Sequence, residues 1–134
     1  MDFPLDMHKN AFKAAEAGLC AGDQGKFWEL SHKMFDNPTN DPAYLEKDNL
    51  VKYARELGLD MTKFQDCLEG GKYVGDIKKR MAEGQTKAGI SGTPGFLLGL
   101  IQPDGTVKAT KKIVGAGPFN TFKAPIDELL SKGK

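Results

Sequence analysis

The sequence has almost no surplus charge of either sign. Nineteen Lys and Arg stand against 18 Asp and Glu, a formal net charge of +1. That balance argues against DNA, RNA or an anionic membrane surface as the main partner. No apolar run approaches the ~18 residues that a membrane-spanning helix needs. The opening Met1-Asp2-Phe3-Pro4-Leu5-Asp6 has neither the basic nor the apolar region of a secretory signal. As written, the chain is expected to stay in a bacterial cytoplasm, where thiols are kept reduced. Cysteine and histidine are scarce: Cys20, Cys67, His8 and His32. They lack the paired, close spacing of a zinc site, so no metal and no cofactor are expected. Internal repeats and low-complexity segments are absent as well. What remains is 134 residues, 40% apolar and 28% charged. Such a chain fits one globular domain and can hide roughly two-thirds of its unfolded surface.

The first two-thirds read as helices. Met7 to Gly18 is rich in Ala, Lys and Glu, with Asp6 as N-cap and Phe12, Ala15 and Leu19 near one face. A second helix spans about Gly25 to Phe35, with Phe27, Leu30, Met34 and Trp28 facing inward. Asn37 to Pro42 is a loop by composition. Leu50, Val51, Ala54 and Leu57 give a third helix one apolar face, and Gly58 ends it as a C′ glycine. Asp60 then caps a fourth helix, with Met61, Phe64, Cys67 and Leu68 inward, until Gly70-Gly71. A fifth runs from about Lys72 to Ala88, with Val74, Ile77 and Met81 inward.

The character changes at Gly89. A glycine-rich loop, Gly89 to Gly95, contains a Thr93-Pro94 bond and leads into the apolar run Phe96 to Ile101. Gln102-Pro103-Asp104-Gly105 is a turn, and Thr106 to Val114 is a second strand of a hairpin. Pro118 opens a last helix, which Pro125 is expected to kink or split. An X-Pro bond between a helix and a buried strand is a candidate cis peptide. A cis proline turns the preceding N–H and C=O sideways, where an extended peptide can pair with them. A trans proline that merely starts a strand is the plainer alternative.

Several short segments share an order. They are Asp2-Phe3-Pro4-Leu5, Asn10-Ala11, Ala14 to Ala17, Cys20-Ala21, Gln24 to Trp28, Leu57 to Asp60, Phe64 to Leu68, Gly92-Thr93-Pro94, Gly115-Ala116 and Pro118-Phe119. In this order the chain resembles the DsbA-type thioredoxin-fold oxidoreductases over nearly its whole length. The resemblance implies an α+β fold, in which 6–88 is a helical insertion and 89–134 the C-terminal half of a thioredoxin fold. It implies thiol–disulfide exchange through a Cys-X-X-Cys pair at a helix N-terminus, where the dipole favours the thiolate. It makes Gly92, Thr93 and Pro94 a loop that holds an extended peptide or unfolded protein. The sequence departs from the family at the decisive point, for these residues contain no Cys-X-X-Cys. In the family that motif lies upstream of the segment resembling Asp2 to Leu5. No catalytic residue is therefore assigned, and dithiol oxidase activity is not expected of these residues. A non-catalytic binding module is the competing reading.

The apolar run Phe96 to Ile101 reads as a central strand covered on both faces. A two-stranded hairpin cannot flank it, and an open apolar edge is an aggregation hazard. A homodimer paired through that strand is the expectation. Lys108, Lys111 and Lys112 read as protective charges on the other strand. For Cys20 and Cys67 three readings stay open: buried free thiols, a structural disulfide, or a redox pair. Some DsbA-like proteins carry a second disulfide in this region. His32 with Glu29 and Asp36 is a polar helix face or an acid–base cluster. His8 is a solvated or capping residue. Phe27, Trp28, Phe35, Tyr44 and Tyr53 are core of the helical region or the lining of a peptide groove.

Overall fold

The computed structural model describes residues 2–36 and 42–132. The expected loop at 37–41 lies outside the described residues. Among the described residues the elements run α1 (Ala11–Gly22), α2 (Phe27–Phe35), a short 3-10 helix (Pro42–Leu45), α3 (Lys47–Glu56), α4 (Met61–Glu69), α5 (Val74–Ala88), β1 (Gly95–Ile101), β2 (Val107–Val114) and α6 (Phe119–Lys132). The class is mixed α+β, as expected. The chain divides into two compact units, Met1–Ala82 and Glu83–Lys134, with the division inside α5.

In the first unit, α1 packs against α2, α3 and α4. Its inner face is built from small residues: Ala14, Ala17, Gly18, Cys20 and Ala21 are buried. Phe12, Ala15 and Leu19, expected to face the core, are only half-buried. Small side chains let three neighbours approach one helix closely, and the partners supply the bulk. Leu30, Leu50, Ala54, Phe64 and Leu68 complete the core. Trp28, expected inside, is 69% exposed. The α2 face that the core accepts is filled by Leu30, with Met34 packed against it. Glu16 is also buried. Its Oε2 pairs with Lys13 Nζ at 2.7 Å, and that ammonium also donates to Leu68 O at 3.3 Å.

Local stop signals act where the sequence puts them. Gly58 is the C′ residue of α3 at φ +71°. Its N–H bonds Arg55 O, and Leu59 N–H bonds Ala54 O, the two closures of a Schellman motif. The Asp60 side chain accepts from Lys63 N–H and caps α4. Gln24 clamps the same turn, donating to Asp60 O at 3.2 Å and accepting from Asp60 N–H at 2.8 Å. By contrast, Asp6 caps nothing. Residues 6–10 form turns, and α1 starts four residues later than expected, with Asn10 at the N-cap. Met7 is 80% exposed, so no apolar contact holds an earlier helical turn.

In the second unit, β1 and β2 form an antiparallel hairpin. Its tip is closed by Asp104, whose Oδ1 accepts from both Thr106 N–H (2.9 Å) and Thr106 Oγ1 (2.7 Å). The register shifts between Leu98 and Gly99, which face Lys111 and Ala109, so Thr110 is the extra residue of a bulge. A Cβ on Gly99 would lie 2.2 Å from Lys108 O, so only glycine fits there. α6 packs on β1, with Phe122 edge-on to Phe96 at 4.9 Å. Pro125 does not split this helix. Its missing N–H leaves Thr121 O without the usual intrahelical donor.

Phe64 is fully buried at the centre of the helical unit. Phe64→Ala is expected to lower unfolding free energy by about 3–5 kcal/mol. Urea denaturation followed by circular dichroism measures this, and a loss under about 1 kcal/mol would contradict the core assignment.

Candidate functional site

Two places carry the expected functional residues, one in each unit. In the first, Cys20 and Cys67 form a disulfide that joins α1 to α4, with their Cα atoms 5.9 Å apart. Of the three readings left open by the sequence, the free-thiol one falls. Cys20 is 1% exposed, in the apolar core, and Cys67 is half-buried. A bonded pair here has no thiol to act as nucleophile.

Around Cys67 stands a polar cluster that the sequence reading missed. α4 ends with Gly70 at the C-cap and Gly71 at φ +63°, and Lys72 N–H closes back on Cys67 O. That reversal delivers Lys72 and Tyr73 to the outer side of the disulfide. Lys72 Nζ donates to Asp23 Oδ2 at 2.7 Å, and Tyr73 OH donates to Asp23 Oδ1 at 2.5 Å. Asp23 Oδ2 lies 3.8 Å from Cys67 Sγ. The hydrogen bond from Lys72, then that from Tyr73, holds the Asp23 carboxyl below the usual carboxylate range. The same contacts push the Lys72 ammonium and the Tyr73 phenol up. The four residues are spread over 50 positions of sequence, so no local spacing could announce them.

An open cavity of about 660 Å³ is lined by Glu29, His32, Lys33, Asp36, Lys52, Tyr53 and Glu56. Two of its carboxylates are committed to lysines. Glu29 pairs with Lys26 at 2.9 Å and Glu56 with Lys33 at 2.5 Å. Those hydrogen bonds lower both carboxyl pKa values, the wrong direction for a general acid at neutral pH. The aromatic residues do not gather into one lining. Tyr53 is buried, Phe27 and Tyr44 are half-buried, and Trp28 and Phe35 are exposed. His8 is exposed in the turn before α1.

In the second unit, Gly92, Thr93 and Pro94 lead directly into β1. The Thr93–Pro94 peptide is cis. Thr93 and Pro94 are exposed, and Gly92 is half-buried. The loop is anchored from below: Pro94 O accepts from Gly115 N–H at 2.8 Å. A Cβ on Gly95 would come within 2.8 Å of Ile90 Cδ1, so the chain passes tightly over Ile90.

The thioredoxin family profile matches residues 1–114. The chain belongs to the thioredoxin family. The curated proteins it resembles carry another name. The Na+/H+ antiporter NhaA 1 of Mycolicibacterium vanbaalenii is 41% identical over 63 residues, 46% of this chain and 10% of the antiporter. That of Salinispora arenicola is 36% identical over 93 residues, 69% of this chain and 14% of the antiporter. The NhaA antiporter of Herminiimonas arsenicoxydans is 32% identical over 94 residues, 70% of this chain and 14% of the antiporter. The chain thus spans 10–14% of the length of the curated relatives it matches. No solved structure matches it. Among the described residues, no helix is long and apolar enough to cross a membrane.

The disulfide closes a loop across 47 positions of sequence. Cys20→Ala with Cys67→Ala is expected to cost about 4 kcal/mol in the chain-entropy model. Paired urea titrations of the two proteins measure this, and equal stabilities would contradict a structural role. The Asp23 cluster adds a pH signature. Asp23 has a folded pKa below 3.8, so its contribution is complete above that value and lost as pH falls through the lowered one. Asp23→Asn should therefore lower the urea midpoint by a constant amount between about pH 5 and about pH 9. The difference should shrink in stronger acid, as Asp23 takes its proton, and again in strong alkali, as Lys72 and Tyr73 lose theirs.

Proposed function

We propose that the chain is a DsbA-type member of the thioredoxin family that holds extended peptide at the Gly92–Thr93–Pro94 loop. In this reading its own two cysteines do no dithiol exchange. The observation that carries the proposal is the Cys20–Cys67 bond. It occupies both cysteines of a sequence that contains no Cys-X-X-Cys.

Exchange chemistry makes this bond a poor catalyst. A thiolate must attack one sulfur in line and expel the other. Cys20 is sealed in the core, so attack has to fall on Cys67. The leaving group would then be a Cys20 thiolate inside an apolar site, where burial disfavours the charged form. Neither cysteine stands at a helix N-terminus that could stabilise it, for Cys20 is in the last turn of α1 and Cys67 in the last turn of α4.

Peptide holding rests on family membership and on the exposure of Thr93 and Pro94 beside the apolar β1. A formed Cys20–Cys67 bond also favours an oxidising compartment over the cytoplasm. The shared stretch is a small part of the antiporters, so the reading concerns a thioredoxin-fold segment and not ion transport.

The test has two arms. Exchange on a small disulfide substrate is expected to proceed at the uncatalysed rate, with the native chain and with Cys20→Ser alike. Acceleration that disappears in the variant would make Cys20 and Cys67 a redox pair and overturn the reading. In the second arm, an extended unfolded peptide is titrated into labelled protein. Amide shifts centred on 92–96 are expected, and shifts confined to 2–36 would contradict the assigned loop.

A further inference from the structure

We propose that Asp23 is a charge gate on the Cys20–Cys67 bond, which admits cationic thiols to the Cys67 sulfur in preference to anionic ones. The inference rests on the bond being a brace, as proposed above, and adds what guards its open side.

The bond can be opened from one side. Cys20 is 1% exposed and Cys67 is half-buried. A reductant thiolate must therefore bond to Cys67 Sγ, and the electron pair of the broken S–S bond leaves on Cys20 Sγ, which then takes up a proton. A second thiolate attacks the reductant's own sulfur in the mixed disulfide. That step gives the oxidised reductant and a Cys67 thiolate. Negative charge passes close to Cys67 Sγ at both steps.

The surroundings of that sulfur are negative. Asp23 Oδ2 lies 3.8 Å from Cys67 Sγ. Cys20 is in the last turn of α1 and Cys67 in the last turn of α4. The bond thus joins two helix C-termini, each the negative end of its dipole. Nothing in the approach of a thiolate is stabilised by either helix.

The carboxylate is fixed in this position from both of its oxygens. Lys72 Nζ donates to Oδ2 at 2.7 Å, and Tyr73 OH donates to Oδ1. These bonds keep the carboxyl charged through the neutral range and stop Oδ2 from swinging off the sulfur. Lys72 offsets part of the field. It is the more exposed partner of the pair, 55% against 36% for Asp23, so water screens its charge more.

The test compares two small thiols on the 134-residue chain at low ionic strength. Mercaptoethanesulfonate is anionic and cysteamine cationic, and each reduction rate is divided by the thiolate concentration. The native chain is expected to favour cysteamine by about threefold more than the urea-unfolded chain does. About 1 M salt should erase most of that excess. Asp23→Asn keeps the shape of the side chain and leaves Lys72 as the charge at the site. The preference should then fall to the unfolded value or below it. Lys72→Met should widen the preference, and Tyr73→Phe, which changes no charge, should keep it. A change in stability moves the rates with both thiols together and cancels in their ratio. Equal preference in native and unfolded chains, or a native preference that Asp23→Asn leaves unchanged, would overturn the gate. Native rates above those of the unfolded chain with both thiols would overturn the brace itself, and the gate with it.

Discussion

The closeness of α1 to its neighbours is the constraint on which the helical unit depends. Ala14, Ala17, Gly18 and Ala21 have little volume of their own. They permit α2, α3 and α4 to meet over one helix, and Leu30, Leu50, Phe64 and Leu68 fill the space between. The same approach brings Cys20 and Cys67 to bonding distance. The disulfide is therefore a consequence of the small-residue face as well as a brace for it. It restricts the unfolded chain, while the burial of Phe64 and its neighbours stabilises the folded one. The Gly70-Gly71 reversal then places Lys72 and Tyr73 over the outer sulfur, where Asp23 takes both hydrogen bonds.

The second unit is organised differently. Its hairpin is defined locally, by the Asp104–Thr106 tip and by the close approach at Gly99. Its apolar residues are defined only in relation to something else. The uncharged β1 and the lysine-bearing β2 make the two sides of the hairpin unequal.

Much of this was legible in the sequence where the signal is local. The Gly58 and Gly70-Gly71 stops, the Asp60 cap, the hairpin turn and the helix–strand change after Gly89 all depend on neighbouring residues. Signals that depend on tertiary partners were read less well. Periodicity ranked Phe12 and Leu19 above Ala17 and Ala21 because hydropathy scales reward size, whereas close packing of four helices rewards its absence. Trp28 was placed inside for the same reason. The pairing of the cysteines stayed open because spacing does not encode which helix faces which. The Asp23–Lys72–Tyr73 cluster was invisible, since its members come together only after the fold is made. In the candidate site, Gly92, Thr93 and Pro94 came from resemblance to a family and not from any chemistry they carry themselves.

The account turns on the Cys20–Cys67 bond being a brace and not a reagent. Its reduction rate by dithiothreitol, in native buffer and in denaturing urea, tests this most directly, with free thiols counted by alkylation and mass spectrometry. A sealed Cys20 as leaving group predicts native reduction orders of magnitude slower than reduction of the unfolded chain. Equal rates in the two conditions, with reversible reoxidation by glutathione while the helices stay folded, would contradict the account.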